Sequence, residues 1–448
     1  MDFRPVGPRA AKAQLEALRL ASVEELFERQ IPTEARLDRS LNLPPPLSEQ
    51  ELVFQFEQLA ATNKGSELSC FAGAGAYDRF IPSVVSELAS RSEFYTSYTQ
   101  YQAEASQGFL QVLFEYQSLL ARLTGMEIAN SSLYDGASAL AEALLMAHSV
   151  TGRRKFVLPD SLHPLWRQVA GTYLAGLDAE LVSLSWDERG RLVAPEERLL
   201  EGAAAVVVQS PNFFGVIEDP TALVEAAHKT GALAICVFEP VSLARLKPPG
   251  DFGFDIAVGE GQSLGLPLGF GGPYLGLFTC RKEHVRQMPG RVVGRTVDSE
   301  DRTAYCLTLQ TREQHIRREK ATSNICTNQA LCALQAGLYL AAVGSTGLRQ
   351  VARESYERAH QLEIQLETIP GIKKVFPGPF FAEFLVSLPI KAAAFIDRMT
   401  ERGILAGVAP SVVGSYPEDW LLVAVTEKRG AEDLEHYIQS AREVLADA

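Results

Sequence analysis

The sequence predicts an α/β protein built on a mostly parallel sheet. Six short, largely apolar runs carry the prediction: Lys155–Leu158, Glu180–Leu184, Ala204–Val208, Ala232–Phe238, Phe254–Val258 and Tyr274–Thr279. Helix-forming segments separate most of them, which is the pattern of parallel strands buried on both faces. Across 448 residues, 46% hydrophobic against 22% charged is enough apolar material for a large core.

Residues 1–65 read as an N-terminal helical arm. Ser22-Val-Glu-Glu25 and Ser48-Glu-Gln-Glu51 each fit a capping box, in which hydroxyl and carboxylate satisfy free backbone N–H groups at a helix start. Between them Pro44-Pro-Pro46 favours an extended connection. Residues 66–335 form the expected large α/β domain. Helical spacing runs through Gln107–Leu123, stopped by Gly125, and Ala137–Val150, stopped by Gly152. A further helix is capped by Asp219, opened by Pro220 and ended by Gly231. Beyond a long helix around Asn328–Val343, residues 336–448 read as a small α+β domain with strands near Ala382–Ser387 and Leu421–Thr426.

The formal charge of -13 would repel a phosphate backbone, so nucleic acid is not an expected partner. The first twenty residues lack a signal-peptide pattern, and no stretch reaches about 18 uninterrupted apolar residues. A cytoplasmic protein that does not enter membranes is expected. The six cysteines, Cys70, Cys236, Cys280, Cys306, Cys326 and Cys332, are scattered, and the seven histidines form no H-E-x-x-H pattern. No metal site is expected.

In open parallel sheets, ligands gather beyond the carboxyl ends of the strands. There the sequence has Pro159-Asp-Ser-Leu-His163, Gln209-Ser-Pro-Asn-Phe-Phe-Gly215, Glu239-Pro240 and Gly259-Glu-Gly-Gln262. Taken singly, these are turn formers and strand ends. Their order matches the needs of a site for an aromatic cofactor: a ring to stack (His163), a donor (Asn212), an acid beside a ring nitrogen (Glu239), and then an anchoring lysine. The lysine is missing. Tyr95, Tyr98 and Tyr101 recur every third residue, suiting either phosphate and carboxylate contacts or interface packing. The run Arg312, His315, Arg317, Arg318 and Lys320 is either a solvated helix start, partly neutralised by Glu313 and Glu319, or a surface for an acidic partner.

The stretch Glu260-Gly-Gln-Ser-Leu-Gly-Leu-Pro-Leu-Gly-Phe-Gly-Gly-Pro-Tyr-Leu-Gly276 resembles the cofactor loop of glycine dehydrogenase (decarboxylating), the P protein of the glycine cleavage system. More specifically, it resembles the lysine-less first subunit of the two-subunit form. Phe71-Ala-Gly-Ala-Gly-Ala-Tyr-Asp-Arg-Phe-Ile-Pro82, Tyr95-Thr-Ser-Tyr-Thr-Gln-Tyr-Gln-Ala-Glu104 and Leu309-Gln-Thr-Arg-Glu-Gln-His-Ile-Arg-Arg-Glu-Lys-Ala-Thr-Ser-Asn324 agree, so the resemblance spans nearly the whole chain.

The resemblance implies pyridoxal-phosphate fold type I. It places Gln262, ahead of Gly271 and Gly272, where the catalytic subunit has its lysine. It further implies that pyridoxal phosphate is held by the partner subunit and not covalently by this chain, in an assembly of two plus two. The implied reaction takes glycine and lipoylated H protein to CO2 and aminomethyl-dihydrolipoyl H protein, with this chain expected to be inactive alone. Tyr95, Tyr98, Gln102 and Glu104 are then expected to be lent to the partner's site, and His163, Asn212, Glu239, Gln262, Gly271 and Gly272 to be remnants of a cofactor pocket. Two alternatives stay open: a purely structural or regulatory partner with an empty cleft, and an autonomous type I enzyme using another lysine.

Overall fold

A computed structural model describes residues 7–447 apart from 38, 96–98 and 326–327. Tyr98 and Cys326 therefore lie outside the described residues. The chain divides into two compact units, Met1–Ser66 and Glu67–Ala448.

The first unit holds helices α1 (Pro8–Ala17), α2 (Val23–Gln30) and α3 (Glu49–Thr62). Ser48 opens α3 with a complete capping box: its Oγ accepts from the Glu51 N–H at 3.3 Å, and the Glu51 carboxylate accepts from the Ser48 N–H at 2.8 Å. At α2 the box is half made. The Ser22 hydroxyl accepts from the Glu25 N–H, but Glu25 turns its carboxylate to the Ala21 N–H, and Arg29 one turn along holds its other oxygen.

In the second unit a seven-stranded sheet is formed by β1 (Ile128–Ala129), β2 (Lys155–Pro159), β3 (Glu180–Leu184), β4 (Ala203–Ser210), β5 (Leu233–Phe238), β6 (Ile256–Glu260) and β7 (Gly276–Cys280), in the order β1-β7-β6-β5-β4-β2-β3. β2 to β6 pair in parallel, and β7 runs antiparallel to both of its neighbours. Side chains alternate across a strand, so each strand serves two cores. Val206, Val208, Ala234 and Cys236 face the cluster built with α4 (Gln107–Thr124) and the long helix near the end of the chain. Ala205, Val207, Ile235 and Val237 face α5 (Gly136–Thr151) and α6 (Pro164–Leu174). The predicted helix stops take left-handed backbone: Gly125 has φ 66° and Gly152 φ 70°. α7 (Thr221–Thr230) starts where Asp219 accepts from both the N–H and the hydroxyl of Thr221.

The sequence reading did not include the antiparallel hairpin of β8 (Val292–Val297) and β9 (Thr303–Thr308). Its exposed outer end carries Arg295 and the turn Asp298-Ser-Glu-Asp-Arg302, which masks the strand signal. The long helix α8 spans Ala330–Leu366 rather than ending near Val343. It breaks at Gly344 (φ 58°, ψ −174°), a conformation open essentially to glycine, and then resumes. By length and composition this helix could cross a bilayer, but Cys332, Leu334, Tyr339 and Leu340 are buried in the body.

After the break, α8 packs on an antiparallel sheet of β10 (Lys373–Lys374), β11 (Glu383–Ser387) and β12 (Trp420–Ala424), backed by α9 (Ala392–Thr400) and α10 (Ala431–Ala446). The loop after β4 joins the two sheets: Val216 bridges Phe380, and a Cβ on Gly215 (φ 82°) would lie 1.8 Å from the Glu383 carbonyl oxygen. The segment Ser69–Cys70 pairs with Ile404–Leu405, and the Ala424 N–H donates to the Phe71 carbonyl. These joints set β11 and the glycine-rich segment beginning at Phe71 over the carboxyl ends of β2, β4, β5 and β6.

Candidate functional site

At those strand ends lies a recess lined by Tyr77, Arg79, His163, Trp166, Glu239 and Glu383, among others. Counted to its open mouth it holds about 670 Å³, of which about 50 Å³ admits the centre of a water molecule. That is room for a few waters.

His163 caps α6 with Nδ1, which accepts from the Leu165 N–H at 3.2 Å, leaving Nε2 to donate to the Ala74 carbonyl at 2.9 Å. Burial pushes this imidazole below its ordinary range, consistent with a neutral ring. Its ring stacks on Trp166 at 5.9 Å and meets Phe213 edge-on at 5.1 Å.

Glu239 accepts from the Ser242 N–H at 2.6 Å and faces Arg79 at 3.5 Å. Arg79 is buried and also donates to Glu427 at 2.8 Å and Ser355 at 3.2 Å. Glu383 reaches in from β11 to accept from the Ala74 N–H at 2.7 Å and the Tyr77 hydroxyl at 3.0 Å, and burial raises its carboxyl to about 7.

Both N–H donors of the Gln262 amide are engaged, and its oxygen accepts as well. Its Oε1 accepts from the Tyr77 N–H at 2.9 Å, while Nε2 donates to the carbonyls of Tyr77 at 3.0 Å and Leu266 at 2.9 Å. The amide therefore fastens the glycine-rich segment to the loop after β6. Asn212 lines the recess, but its amide donates to the chain's own groups rather than into the recess. Its Nδ2 donates to Gly190 and Glu218 at 2.7 and 2.8 Å, and its Oδ1 accepts from the N–H groups of Phe214 and Val216. It organises the turn after β4.

Gly271 and Gly272 sit beyond the recess in a turn where the Gly271 and Gly272 N–H groups donate to Leu268 and Gly269, with Phe270 at the tip 96% exposed. Tyr95, Gln102 and Glu104 are exposed at the surface. Tyr101 is tied down within the chain, its hydroxyl accepting from Arg291 at 2.9 Å. In the basic run, Arg312 is buried and donates to the carbonyls of Met288, Gly290 and Leu309, so it does not belong to a surface patch.

Three observations test whether these residues suit covalently anchored pyridoxal phosphate, and all fail it. Among the described residues no lysine lines the recess, and the Gln262 amide is engaged within the chain. A helix N-terminus is the usual seat for a phosphate. Here the Gly136 N–H at the start of α5 donates to the Glu260 carboxylate at 2.9 Å, and that carboxylate also accepts from the N–H groups of Gln262 and Leu275, each at 3.0 Å. Trp166 lies against Gly136 so closely that a Cβ there would be 2.2 Å from its ring. The chain's own Glu260 and Trp166 occupy the start of α5.

Sequence reasoning missed Arg79, Tyr77, Glu260, Trp166 and Glu383 as members of this cluster. The first three lay inside the quoted segments. Trp166 and Glu383 carry no local signal, because a helix turn and a strand of the second sheet bring them in. Among the described residues, Asp255, Glu283 and His284 place ligand-capable atoms within 4.8 Å of one another at the amino end of β6. Asp255 there is already met by His228 at 2.9 Å and Arg281 at 3.6 Å.

A family model described as "Glycine cleavage system P-protein" matches residues 3–440. A "Probable glycine dehydrogenase (decarboxylating) subunit 1" of Chlorobaculum parvum is 50% identical over 428 residues, covering 94% of this chain and 96% of that one. A crystal structure of glycine decarboxylase (P-protein) of the glycine cleavage system, in inhibitor-bound form, superposes with TM-score 0.92 at 45% identity, covering 99% of this chain and 100% of that one. The sphingosine-1-phosphate lyase of Burkholderia pseudomallei shares the fold alone, with TM-score 0.66 at 14% identity over 94% of both chains.

Proposed function

The chain belongs to the glycine cleavage system P-protein family, and from that premise we propose that it is the subunit of glycine decarboxylase that does not hold the cofactor. The assembled enzyme converts glycine and lipoylated H protein to CO2 and aminomethyl-dihydrolipoyl H protein. The second subunit supplies pyridoxal phosphate, whose electron-accepting ring provides the decarboxylation chemistry. This chain shapes and completes the neighbouring site and helps keep water from it. The reading includes a cytoplasmic assembly of two copies of each subunit, and a body divided near residue 336 into a large and a small domain.

The observation that carries the proposal is the engaged amide of Gln262, with its three hydrogen bonds to Tyr77 and Leu266. A side chain so committed closes the position from which an amine would have to reach the cofactor. Tyr95, Gln102 and Glu104 are exposed and open to a partner. We assign them to the shared site, together with Tyr98 of the same segment.

The test is borohydride reduction of the reconstituted two-subunit complex in the presence of pyridoxal phosphate, followed by peptide mapping. The pyridoxyl group is expected on the partner alone. A pyridoxyl peptide from this chain would overturn the proposal.

A further inference from the structure

Two adjoining grooves open on the surface beside the Gly344 break. One, of about 980 Å³ counted to its open mouth, is walled by Leu119, Leu123, Leu243 and Leu348, with Arg122 and Arg349 also lining it. The other, of about 730 Å³ on the same measure, is lined by Arg245, Arg349, Arg353, Thr346 and Gln350, and it shares Ala244 and Arg349 with the first. No Asp or Glu lines either groove among the described residues.

Arg122, Arg245, Arg349 and Arg353 are all exposed. Among the described residues none of the four has an ion pair or a side-chain hydrogen bond, and Arg245 alone has a further contact, lying over the Tyr356 ring at 3.9 Å. Arg349 and Arg353 stand one turn apart on α8, where like charges repel. A chain with formal charge -13 thus gathers four cations around an apolar trough that, among the described residues, no Asp or Glu lines. Such an arrangement is complementary to carboxylates on another molecule, and arginine with exposed apolar surface is the composition of protein interfaces.

The form of the grooves selects the class of occupant. Small-ligand sites enclose their ligand and fix it with a few convergent polar groups. Here the cations are spread along an open surface. Nucleic acid is disfavoured by the overall negative charge.

We infer that this face docks an acidic protein, and specifically the lipoylated acceptor protein of the proposed reaction, with an apolar side chain in the leucine-walled groove and carboxylates on the four arginines. The inference rests on that proposed function, because it takes the reaction's acceptor to be a protein carrier.

The experiment uses the assembled two-subunit enzyme. Affinity for lipoylated H protein is measured by calorimetry at low and high salt for the wild type, for Arg349→Glu with Arg353→Glu, and for Arg349→Lys with Arg353→Lys. Glycine-dependent turnover is followed in parallel with free lipoamide as a small acceptor. The charge-reversed enzyme is expected to bind the carrier roughly tenfold or more weakly and to lose most of the salt dependence, while turnover with lipoamide is unchanged. The lysine variant is expected to keep most of the affinity.

Unchanged carrier affinity in the reversed enzyme, or no carrier binding by the wild type, overturns the inference. So does failure of the reversed chain to assemble with the second subunit, because the face would then be the subunit interface. Salt-sensitive carrier binding that is lost on reversal, in a wild-type complex that does not turn over glycine, would instead sink the proposed function and leave the docking surface standing.

Discussion

Gln262 shows how one side chain can be legible in sequence and still hold a structural surprise. Its place two residues after β6, ahead of a glycine run, is readable. That its amide makes three hydrogen bonds is not, because Tyr77 is 185 residues away. Restoring the amine should therefore not restore cofactor binding. Gln262→Lys is expected to show no imine absorbance beyond that of free pyridoxal phosphate, since Glu260 and Trp166 still crowd the start of α5, and an imine on the introduced amine would contradict this. Gln262→Ala should lose about 3 kcal/mol in denaturant unfolding, because buried backbone groups at Tyr77 and Leu266 are left unpaired.

Asn212 was legible as a special residue but not in its role, since a Pro-Asn turn looks the same whether the amide points into a cleft or into its own loop. Glu383 had no local signal at all, yet it gives the site a pH dependence. Burial raises its carboxyl from 4.5 to about 7, so the folded chain keeps a proton that the unfolded chain has released. Stability from this group is full below about 4.5 and is lost as pH rises to about 7. Glu383→Gln should therefore gain on the wild type by up to about 3 kcal/mol between about pH 5 and pH 8. Equal pH dependence of the two melting curves would refute it.

At the scale of elements, the parallel core was readable because β4 and β5 are apolar on both faces, a pattern few other structures require. The reversal of β7 was not, because an antiparallel strand buried on both sides has the same composition. Hairpin β8–β9 escaped for the opposite reason, its outer end being charged and exposed. The joints between elements depend on close approach rather than pattern. Gly215→Ala would drive a methyl group into the Glu383 carbonyl at a φ of 82°, and it should cost more than about 3 kcal/mol. An alanine variant that melts with the wild type would show the contact to be slack. Gly344→Ala meets no neighbour within 4 Å, so its penalty should reflect backbone conformation alone, about 1–3 kcal/mol.

For the whole molecule, the fold was carried by apolar runs alternating with helix-forming segments and by long family segments, whereas the partner relationship came through resemblance and then through relatives. Tyr95 is 62% exposed, so Tyr95→Phe should leave the stability of this chain within about 0.5 kcal/mol. If the residue serves the neighbouring site, the same change should lower glycine turnover in the assembled enzyme roughly tenfold. Unaltered turnover would assign the tyrosine to packing.

Arg79 bears on how the body comes apart. Its guanidinium joins Glu239 at the end of β5, Ser355 on α8 and Glu427 just after β12, so one cation touches both sheets and the helix between them. Neither sheet can leave without stranding buried charge. The body should consequently unfold as a single cooperative unit, with the slowest-exchanging amides of the two sheets sharing one opening free energy, and Arg79→Met should split that common exchange into two.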